Sequence, residues 1–533
     1  MKNFLIYKEP ENQYNFHLEK TDGGPEKTLE MEKVSSSIKK NLEYAKGKFH
    51  AERNGDIVFR EFEITVDKKI YNAFFVICDG LASSESVNEC VLKPFMYLRH
   101  ISNENGDNLE KFIEKKLLPQ NQIEITDDIN NLLQKVNFGF CILFVDTLAK
   151  GFLIDLKQWE HRSIDKPQNE SVILGPHEGF NEMLRANTAL IRKTINSPDL
   201  IMESCELGRA SKTAASIAYI EGIANPKLVE EIKFRISNID ADYILTSLDL
   251  EQFIEESTFT SVPQILNTER PDRVCNALIE GKVAVVVSGS PNVLIAPATF
   301  IDFTQTADDA YLRYPFAVLI RFLRITAMFL SLFASAVFIA VVNYHQGLLL
   351  TDILFSLEAS RQLVPFPSIL ELILMEGAFE LIKEAGTRVP SSIGQTLGIV
   401  GGLVLGQAAV AASVVSPIMI IIVAITGIAS FVIPDYSLSL SFRILRFAYI
   451  LGAAVSGFLG ILTVLFVHML SLFSVKSFGV PFTAPFAPLE KNAGASTLLA
   501  NPAWKKEERA AYVKSRDKIK QSKISRVWRY KKR

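Results

Sequence analysis

VPFPSILELILMEGAFELIKEAG, residues 364–386, is the stretch that decides how the C-terminal half of this chain folds. Pro365 and Pro367 suit the first turn of a helix, so the sequence predicts a helix that begins near Ser368. Gly386 predicts its C-terminal end. The apolar body of this helix carries four carboxylates, at Glu371, Glu376, Glu380 and Glu384. Because the last three are four residues apart, they form one stripe along one face of the helix.

Long apolar segments on both sides of this helix predict a membrane environment. In a membrane, carboxylates need a water-filled cavity, a partner or the interface, and they often mark ion paths. Three interpretations of the helix at 366–385 remain open at this stage. The first is an amphipathic helix on the membrane surface or against a soluble domain. The second is a pore-lining or re-entrant helix, and the third is a plain spanning helix with buried, paired carboxylates.

Four further segments are predicted membrane spans, at 316–342, 393–415, 417–433 and 447–473. The second span carries glycines four residues apart, at Gly394, Gly398, Gly402 and Gly406. Such a ridge lets another helix approach closely, within one subunit or between subunits. The last span carries a shorter ladder of the same kind, at Gly452, Ser456 and Gly460.

Basic residues before the first span predict a cytoplasmic N-terminal region, namely Arg313, Arg321 and Arg324. The basic tail at 505–533 is expected to be cytoplasmic and in contact with anionic lipid. The alternative interpretation is a solvated, partly disordered tail. Two cytoplasmic ends require an even number of crossings. Four spans satisfy this requirement only if the helix at 366–385 does not cross fully. Arg443 and Arg446 then fall on the outer side, against the charge rule, yet the four-span version is the one we expect.

The overall composition hides an asymmetry between the two halves of the chain. Of 533 residues, 48% are hydrophobic and 22% are charged, and the formal net charge is −2. The predicted fold class is an α/β soluble N-terminal region of two subdomains, followed by an all-α polytopic membrane domain. The predicted regions are a flexible polar tail at 1–50 with a short helix near 28–46, α/β subdomains at 51–165 and 166–312, a membrane domain at 313–475, and a Pro-rich segment with a basic tail at 476–533. In subdomain 1 the predicted order is a strand pair, helices and a second strand pair. In subdomain 2 we predict strands around 200–206 and 214–220, a helix with Asn225 as its cap and Pro226 in its first turn, and a hairpin around Ser288-Gly289-Ser290-Pro291.

Enzymatic motifs are missing from the sequence. The five cysteines are scattered without a Cys-x-x-Cys pair, which is typical of reduced thiols in a cytosolic compartment. His177-Glu178 resembles a metal-ligand pair, but no second pair has ligand spacing. The sequence also lacks a phosphate-binding GxxxxGK loop and a nucleophile elbow. We therefore predict no catalytic, metal or cofactor site and no nucleic-acid partner.

Several stretches together resemble one known family, the A subunits of the GerA-type spore germination receptors of endospore-forming bacteria. The resemblance covers roughly residues 55–490. The stretches that carry it are GPHEGFNEMLRANTALIRKTI, TERPDRVCNALIEGKVAVVVSGSPNVLIAPATF, PFPSILELILMEGAFELIKEAGTRVPSSIGQTLGIVGGLVLGQAAV and GVPFTAPFAP.

The resemblance implies a cytoplasmic N-terminal region, similar to the α/β halves of periplasmic binding proteins, and a membrane domain in the inner membrane of the dormant spore. It implies two partners, a transporter-like B subunit that binds the nutrient and a lipoprotein C subunit. It also implies a homo-oligomer that forms a nutrient-gated channel for monovalent cations, with the helix at 366–385 lining the pore.

In this interpretation the four carboxylates attract cations, and Ile369 and Ile373 form an apolar gate. Two other classes of function stay open from the sequence. One is a non-conducting scaffold whose soluble region assembles the partner subunits. The other is a direct nutrient receptor with its ligand in the cleft between the N-terminal subdomains.

Overall fold

The computed structural model describes residues 16–20, 31–66, 69–97, 109–157, 167, 170–388, 402, 404, 406–489 and 502–522. Within these residues, two subdomains built on antiparallel sheets precede a bundle of long helices.

Subdomain 1 comprises residues 31–157 and is built on one five-stranded sheet. Its strands are β1 (Ile57–Val66), β2 (Lys69–Cys78), β3 (Ile123–Thr126), β4 (Phe140–Val145) and β5 (Gly151–Asp155). Its helices are α1 (Ile38–Lys48), α2 (Ser84–Val87), α3 (Lys93–Tyr97), α4 (Leu109–Phe112) and α5 (Ile129–Val136), and π-helical turns at Asn88–Leu92 and Ile113–Leu117 extend α2 and α4. Val34, Ala45 and Phe49 are buried in its core. Residues 31–50 therefore belong to subdomain 1. The short helix predicted near 28–46 is present as α1, but the prediction of a flexible tail is wrong for residues 31–50.

Subdomain 2 is built on a second five-stranded sheet. Its strands are β6 (Leu200–Leu207), β7 (Thr213–Ile220), β8 (Leu266–Thr268), β9 (Val283–Val287) and β10 (Val293–Ala296). Its helices are α6 (Leu184–Thr194), α7 (Pro226–Ser237), α8 (Ser247–Ile254), α9 (Pro271–Ile279), α10 (Phe300–Thr304) and α11 (Asp308–Tyr311). As the sequence predicts, Asn225 caps α7 and Pro226 occupies its first turn.

The two subdomains share one topology. The strand orders are β1-β2-β4-β5-β3 and β6-β7-β9-β10-β8, so a hairpin, helices, a single strand, a helix and a second hairpin occur twice. The two strand pairs predicted for subdomain 1 lie where the sequence places them, but the single strand β3 between its helices was not predicted. Every pairing among the described strands is antiparallel, so neither subdomain contains the parallel βαβ units of an alternating α/β fold.

A buried arginine joins the two subdomains. Arg192 on α6 is fully buried, and its guanidinium donates to both carboxylate oxygens of Asp56, at 2.6 and 2.8 Å. It also donates to Asn54 Oδ1 and Asn137 Oδ1 of subdomain 1 and to the backbone carbonyl of Leu200. Burial by itself would lower the pKa of Arg192, but the Asp56 carboxylate outweighs burial and raises it. This charged network fixes the two subdomains to each other.

The helical bundle follows at residue 314. Its helices are α12 (Tyr314–Tyr344), α13 (Thr351–Arg361), α14 (Ser368–Arg388), α15 (Pro417–Phe431), α16 (Tyr436–Ser456) and α17 (Phe458–Ser474). The predicted start at Ser368 is confirmed, but the predicted end at Gly386 is wrong because α14 continues to Arg388. The predicted single span at 447–473 is also wrong. Gly457, with φ +60°, breaks it into α16 and α17.

One end of the bundle contacts subdomain 2, and we call it the near end. Asp309 is buried there and accepts hydrogen bonds from Arg321 at 2.9 Å and from Arg324 at 3.1 Å. Also at this end, Ser441 Oγ donates to the backbone carbonyl of Ser261. These contacts join the starts of α12 and α16 to the soluble part.

The opposite end of the bundle, the far end, is where α12 finishes. Tyr344 donates its hydroxyl to the carbonyl of Ala454 at 2.6 Å, close to the end of α16. Ser368, which starts α14, donates to Asn343 Oδ1 at 2.7 Å. Helices α12 and α16 therefore run from the near end to the far end, and α14 runs back.

Helices α15 and α17 also run toward the near end. Ser416, just before α15, contacts Glu371 in the first turn of α14, and Val475, just after α17, packs against subdomain 2. Helix α14 thus ends at the near end, and α15 begins at the far end. Among the described residues, five helices thus run between the two ends, α12, α14, α15, α16 and α17. Most of the predicted span at 393–415 lies outside the described residues.

The C-terminal tail packs against subdomain 2. The segment after α17 forms the short pair β11 (Lys476–Ser477) and β12 (Val480–Pro481). Further on, Arg509 Nε donates to the carbonyl of Ile279 at 2.7 Å, and Ser515 Oγ donates to the carbonyl of Glu280 at 2.8 Å. Val513 is fully buried. Within the predicted tail, Val513 and Ser515 are thus buried, while the other residues at 505–522 are exposed or half-buried. Residues 523–533 lie outside the described part.

Candidate functional site

Helix α14 turns its carboxylates toward the inside of the bundle. Glu371 and Glu376 are both 0% exposed. Glu380 is half-buried and Glu384 is exposed, so the predicted stripe runs from the bundle core out to the surface at the near end. The opposite face of α14 carries three large apolar side chains that are exposed, Leu370, Leu374 and Leu381.

Glu376 is the centre of a buried network that joins four helices. Arg446 on α16 donates to Glu376 Oε2 at 2.6 Å. Glu376 Oε1 accepts from Ser335 on α12 at 2.7 Å and from Thr426 on α15 at 3.1 Å. A second nitrogen of Arg446 lies 3.4 Å from Ser331 Oγ on α12. All five side chains are at most 1% exposed, so the network is enclosed by the helices that supply it.

Toward the far end, Glu371 holds the start of α15. Its Oε1 accepts from the backbone N–H of Ser416 and from Ser416 Oγ, the latter at 2.6 Å. Ser416 in turn caps α15 and precedes Pro417 in its first turn. Arg361 on α13 lies 4.0 Å from Glu371 Oε2, and neither Arg361 Nε nor this oxygen has a hydrogen-bond partner. Buried polar atoms of this kind are usually satisfied by ordered water.

Toward the near end, two further polar contacts continue the series. Arg443 forms a bidentate ion pair with Glu380 across α16 and α14. Lys383 Nζ donates to Ser430 Oγ at 3.3 Å and lies over the ring of Phe431. Together these contacts form a polar track, from Ser416 and Glu371 through Glu376 and Arg446 to Glu380 and Lys383.

The track is a row of charges inside an otherwise apolar bundle. Charged side chains are expensive in such surroundings unless they are paired, and they mark functional sites in membrane proteins. Of the three interpretations of the 366–385 helix, the geometry matches a helix that passes through the bundle with buried, paired carboxylates. Ile369 and Ile373 are half-buried and pack against the apolar cluster that surrounds Glu371.

The glycine ridges have different surroundings. Gly394 and Gly398 lie outside the described residues. A side chain at Gly402 would meet nothing within 4 Å, and one at Gly406 would only touch Ile420 at 3.9 Å. Gly460, by contrast, lies so close to Gly452 that a methyl group on it would be 1.8 Å from the Gly452 carbonyl oxygen. The shorter ladder thus joins two neighbouring helices of one subunit, α16 and α17.

The joint between subdomain 2 and the near end carries a perturbed carboxyl group. Glu251 on α8 lies near Asp435, the cap of α16. Burial, followed by the nearby Glu255 and Asp435 carboxylates, raises the pKa of Glu251 to about 7 from 4.5. This group therefore titrates near neutral pH, at the place where the soluble part contacts the bundle.

Sequence reasoning missed the partners of the carboxylates, most of all Arg446. A signal was present, because Arg443 and Arg446 are three residues apart in an apolar segment and therefore share a helix face. No cluster of three or more His, Cys, Asp or Glu side chains suited to a metal occurs in the part of the chain that the structure describes.

Two helices among the described residues are long and apolar enough to cross a membrane, Tyr314–Tyr344 and Tyr436–Ser456. Pro417–Phe431 and Phe458–Ser474 are apolar but shorter. A duplicated soluble region followed by an apolar bundle with a charged interior defines the class: a membrane-associated protein with a large soluble domain and a polar site within its helices.

Comparison with known proteins identifies the family. A family model described as Bacillus/Clostridium GerA spore germination protein matches residues 43–512. The chain is 37% identical over 493 residues to spore germination protein KA of Bacillus subtilis (strain 168), covering 92% of this chain and 90% of that protein. The chain belongs to the GerA family of spore germination proteins, which confirms the resemblance found in its sequence.

Two further similarities extend this finding. An uncharacterized membrane protein of Bacillus subtilis (strain 168), YfkQ, is 37% identical over 88% of this chain and 90% of its own length. The crystal structure of the N-terminal domain of the A subunit of the Bacillus megaterium spore germinant receptor GerK3 is 30% identical, with a TM-score of 0.37. It covers 51% of this chain and 99% of that domain.

Proposed function

We propose that this chain is the A subunit of a spore germinant receptor and converts nutrient binding into the release of monovalent cations through its helical bundle. Membership of the GerA family supports the receptor role. The transporter-like B subunit and the lipoprotein C subunit are the proposed partners. The observation that carries the conduction step is the polar track along α14, with Glu376 and Arg446 paired at its centre.

In this proposal, the arrangement with paired carboxylates is the closed state. Glu376 and Arg446 neutralise each other and leave no vacant charge at the middle of the bundle. An open state would separate this pair, so that Glu371, Glu376 and Glu380 face water and attract cations. Ile369 and Ile373 remain the candidates for the apolar gate. The energy to separate the pair would come from nutrient binding to the partner subunit.

The proposed topology places the soluble region and the tail in the cytoplasm, in the inner membrane of the spore. The tail packs on subdomain 2, so both lie on one side of the bundle, which supports two cytoplasmic ends and an even number of crossings. Arg321, Arg324 and Arg443 then lie toward the cytoplasmic end, in agreement with the charge rule. Arg446 lies at the middle of the bundle and Arg361 toward the far end, each beside a carboxylate of α14.

A homo-oligomer would use the other face of α14. Leu370, Leu374 and Leu381 are 42%, 47% and 73% exposed, and lipid or a second copy of the chain would cover them. If the cation path lies between subunits, these leucines line it. If the path lies within one subunit, the carboxylates line it.

A direct nutrient receptor is the less favoured alternative. The junction between the subdomains is filled by the Arg192 network. The cavity beside it, lined in part by Arg53, Tyr219 and Lys233, has a volume of about 90 Å³. Pockets for small molecules usually measure several hundred Å³.

The decisive test is potassium flux from liposomes that contain the receptor with its partner subunits. Single cysteines would be placed on both faces of α14, with the native cysteines replaced, and treated with a charged thiol reagent. Block at 373, 376 and 380 would locate the path inside the subunit, and block at 370, 374 and 381 would locate it between subunits. Absence of nutrient-dependent flux would refute conduction and favour the scaffold.

A further inference from the structure

Phe259 is an aromatic side chain of the soluble part that is almost entirely exposed, at 95%. Exposing an apolar ring of this size to water is unfavourable, although single exposed apolar residues are common on soluble proteins. The position and the rigidity of the loop that carries it distinguish this residue from an incidental case.

The Phe259 loop is held closed at its base by one buried side chain. Gln264 is 1% exposed, and its Oε1 accepts from the backbone N–H groups of Glu256 and Ser257, both at 3.0 Å. Its Nε2 donates back to the carbonyl of Ser257 at 2.6 Å. Because Gln264 joins the two ends of the loop, Phe259 lies at the tip of a loop whose base is fixed.

The same loop reaches the near end of the bundle. Ser261, two residues after Phe259, accepts a hydrogen bond from Ser441 on α16, and Val262 packs in one apolar cluster with Leu438 and Phe442. Ser441 is five residues beyond the start of α16 at Tyr436. At a rise of about 1.5 Å per residue, the loop lies alongside α16, about 7 Å past its first residue.

The bundle surface at this level is apolar and aromatic. Phe431, Tyr436 and Leu440 are 63%, 65% and 41% exposed at the near ends of α15 and α16. Tyrosine at the start of a spanning helix is typical of the membrane–water interface. Because Ser261 contacts Ser441, Phe259 lies close to the level of the bundle at which these exposed aromatic and apolar residues occur, the level expected at the edge of a lipid bilayer.

We infer that the Phe259 loop inserts its tip into the interfacial region of the bilayer, so that subdomain 2 contacts phospholipid directly as well as through α12 and α16. The partner is the lipid surface itself. Aromatic rings on short loops suit this zone because it accommodates both an apolar ring and the hydrated backbone around it. This inference depends on the bundle being embedded in a membrane, as the proposed function states, but not on cation conduction.

The test uses the full chain, with its native cysteines replaced, in vesicles of phosphatidylcholine and phosphatidylglycerol. An environment-sensitive fluorophore is attached to a single cysteine in Phe259→Cys. Ile70→Cys on subdomain 1, where the native side chain is 66% exposed, is the aqueous control, and Leu440→Cys on α16 is the lipid control. Quenching is measured with nitroxide lipids and with aqueous iodide.

We expect nitroxide lipids to quench the label at 259 at least twofold more than the label at 70, and iodide to quench it less. Quenching of the label at 440 without quenching at 259 would overturn the inference while leaving the membrane bundle intact. A label at 259 shielded from both quenchers would show that protein covers the loop, which also overturns it. If neither 440 nor 259 is quenched by lipid, the proposed membrane placement fails as well.

Discussion

Glu376→Gln is the most informative single change in this protein. It removes the charge that neutralises Arg446, yet the amide oxygen still accepts from Ser335 and Thr426. Both partners are at most 1% exposed, so the guanidinium stays buried without a counter-charge. Breaking one side of such a pair typically costs about 3–5 kcal/mol. At about 2–4 °C per kcal/mol for a domain of this size, we expect the melting temperature to fall by about 10 °C.

The companion variant Arg446→Met leaves Glu376 buried and unpaired, and it should cost a similar amount. The double variant removes both charges, so it should lose far less than the sum of the single losses. The assay is thermal unfolding of the purified protein in detergent, with the folded fraction at each temperature measured by size-exclusion chromatography. Glu384→Gln is the matched control, because the same substitution at an exposed position of α14 should change stability by at most about 0.5 kcal/mol. Additive single losses, or a loss below about 1 kcal/mol, would refute the buried pair.

Three other predictions test the rest of the fold. Gly460→Val should prevent α17 from packing against α16 at Gly452, so that no folded protein is seen on size-exclusion chromatography. Gly402→Ala, at a position with open space, should be tolerated. Normal folding of Gly460→Val would contradict the helix contact. Arg192→Met should lower stability by about 3–5 kcal/mol and speed protease cleavage between the subdomains, because Asp56 is then left unpaired; unchanged cleavage would count against a fixed junction. The folded-state pKa of Glu251 is about 7 and its unfolded value is 4.5, so its contribution to stability is complete below pH 4.5 and is lost as pH rises through 7. We therefore expect the free energy of unfolding to fall by up to about 3 kcal/mol from pH 5 to 8, and Glu251→Gln to remove this fall. An identical fall in the variant would assign the effect to other groups.

Local signals in the sequence predicted much of the secondary structure. The prolines before Ser368 and the Asn225 cap act within one helical turn, and the structure confirms both. The hairpin strands of subdomain 2 followed from β-rich runs separated by turn residues, and β6, β7, β9 and β10 lie where these runs are. These features depend on neighbours in the chain, which is why they can be read without tertiary contacts.

Contacts between distant segments could not be predicted in this way. Residues 31–50 look polar, but Val34, Ala45 and Phe49 are buried because subdomain 1 supplies the partners. The basic tail shows the same effect, since its charged residues bind backbone carbonyls of subdomain 2. The duplication of the subdomains was also hidden, because it appears in strand order and not in a repeated motif.

The carboxylate stripe marks the limit of reasoning from periodicity. A spacing of four shows that Glu376, Glu380 and Glu384 share a face of α14, but it does not show which way that face points. The direction is set by Arg446 and Arg443, which lie about 65 residues further on and meet the carboxylates only if α14 passes antiparallel to α16. The four-span prediction placed these arginines on the outer side of the membrane, against the charge rule. With α14 antiparallel to α16, Arg443 and Arg446 meet their counter-charges, and the proposed topology places Arg443 toward the cytoplasmic end. The ion pairs fix the direction of α14 relative to α16, and a direct determination of which side of the membrane Arg443 faces tests the proposed topology.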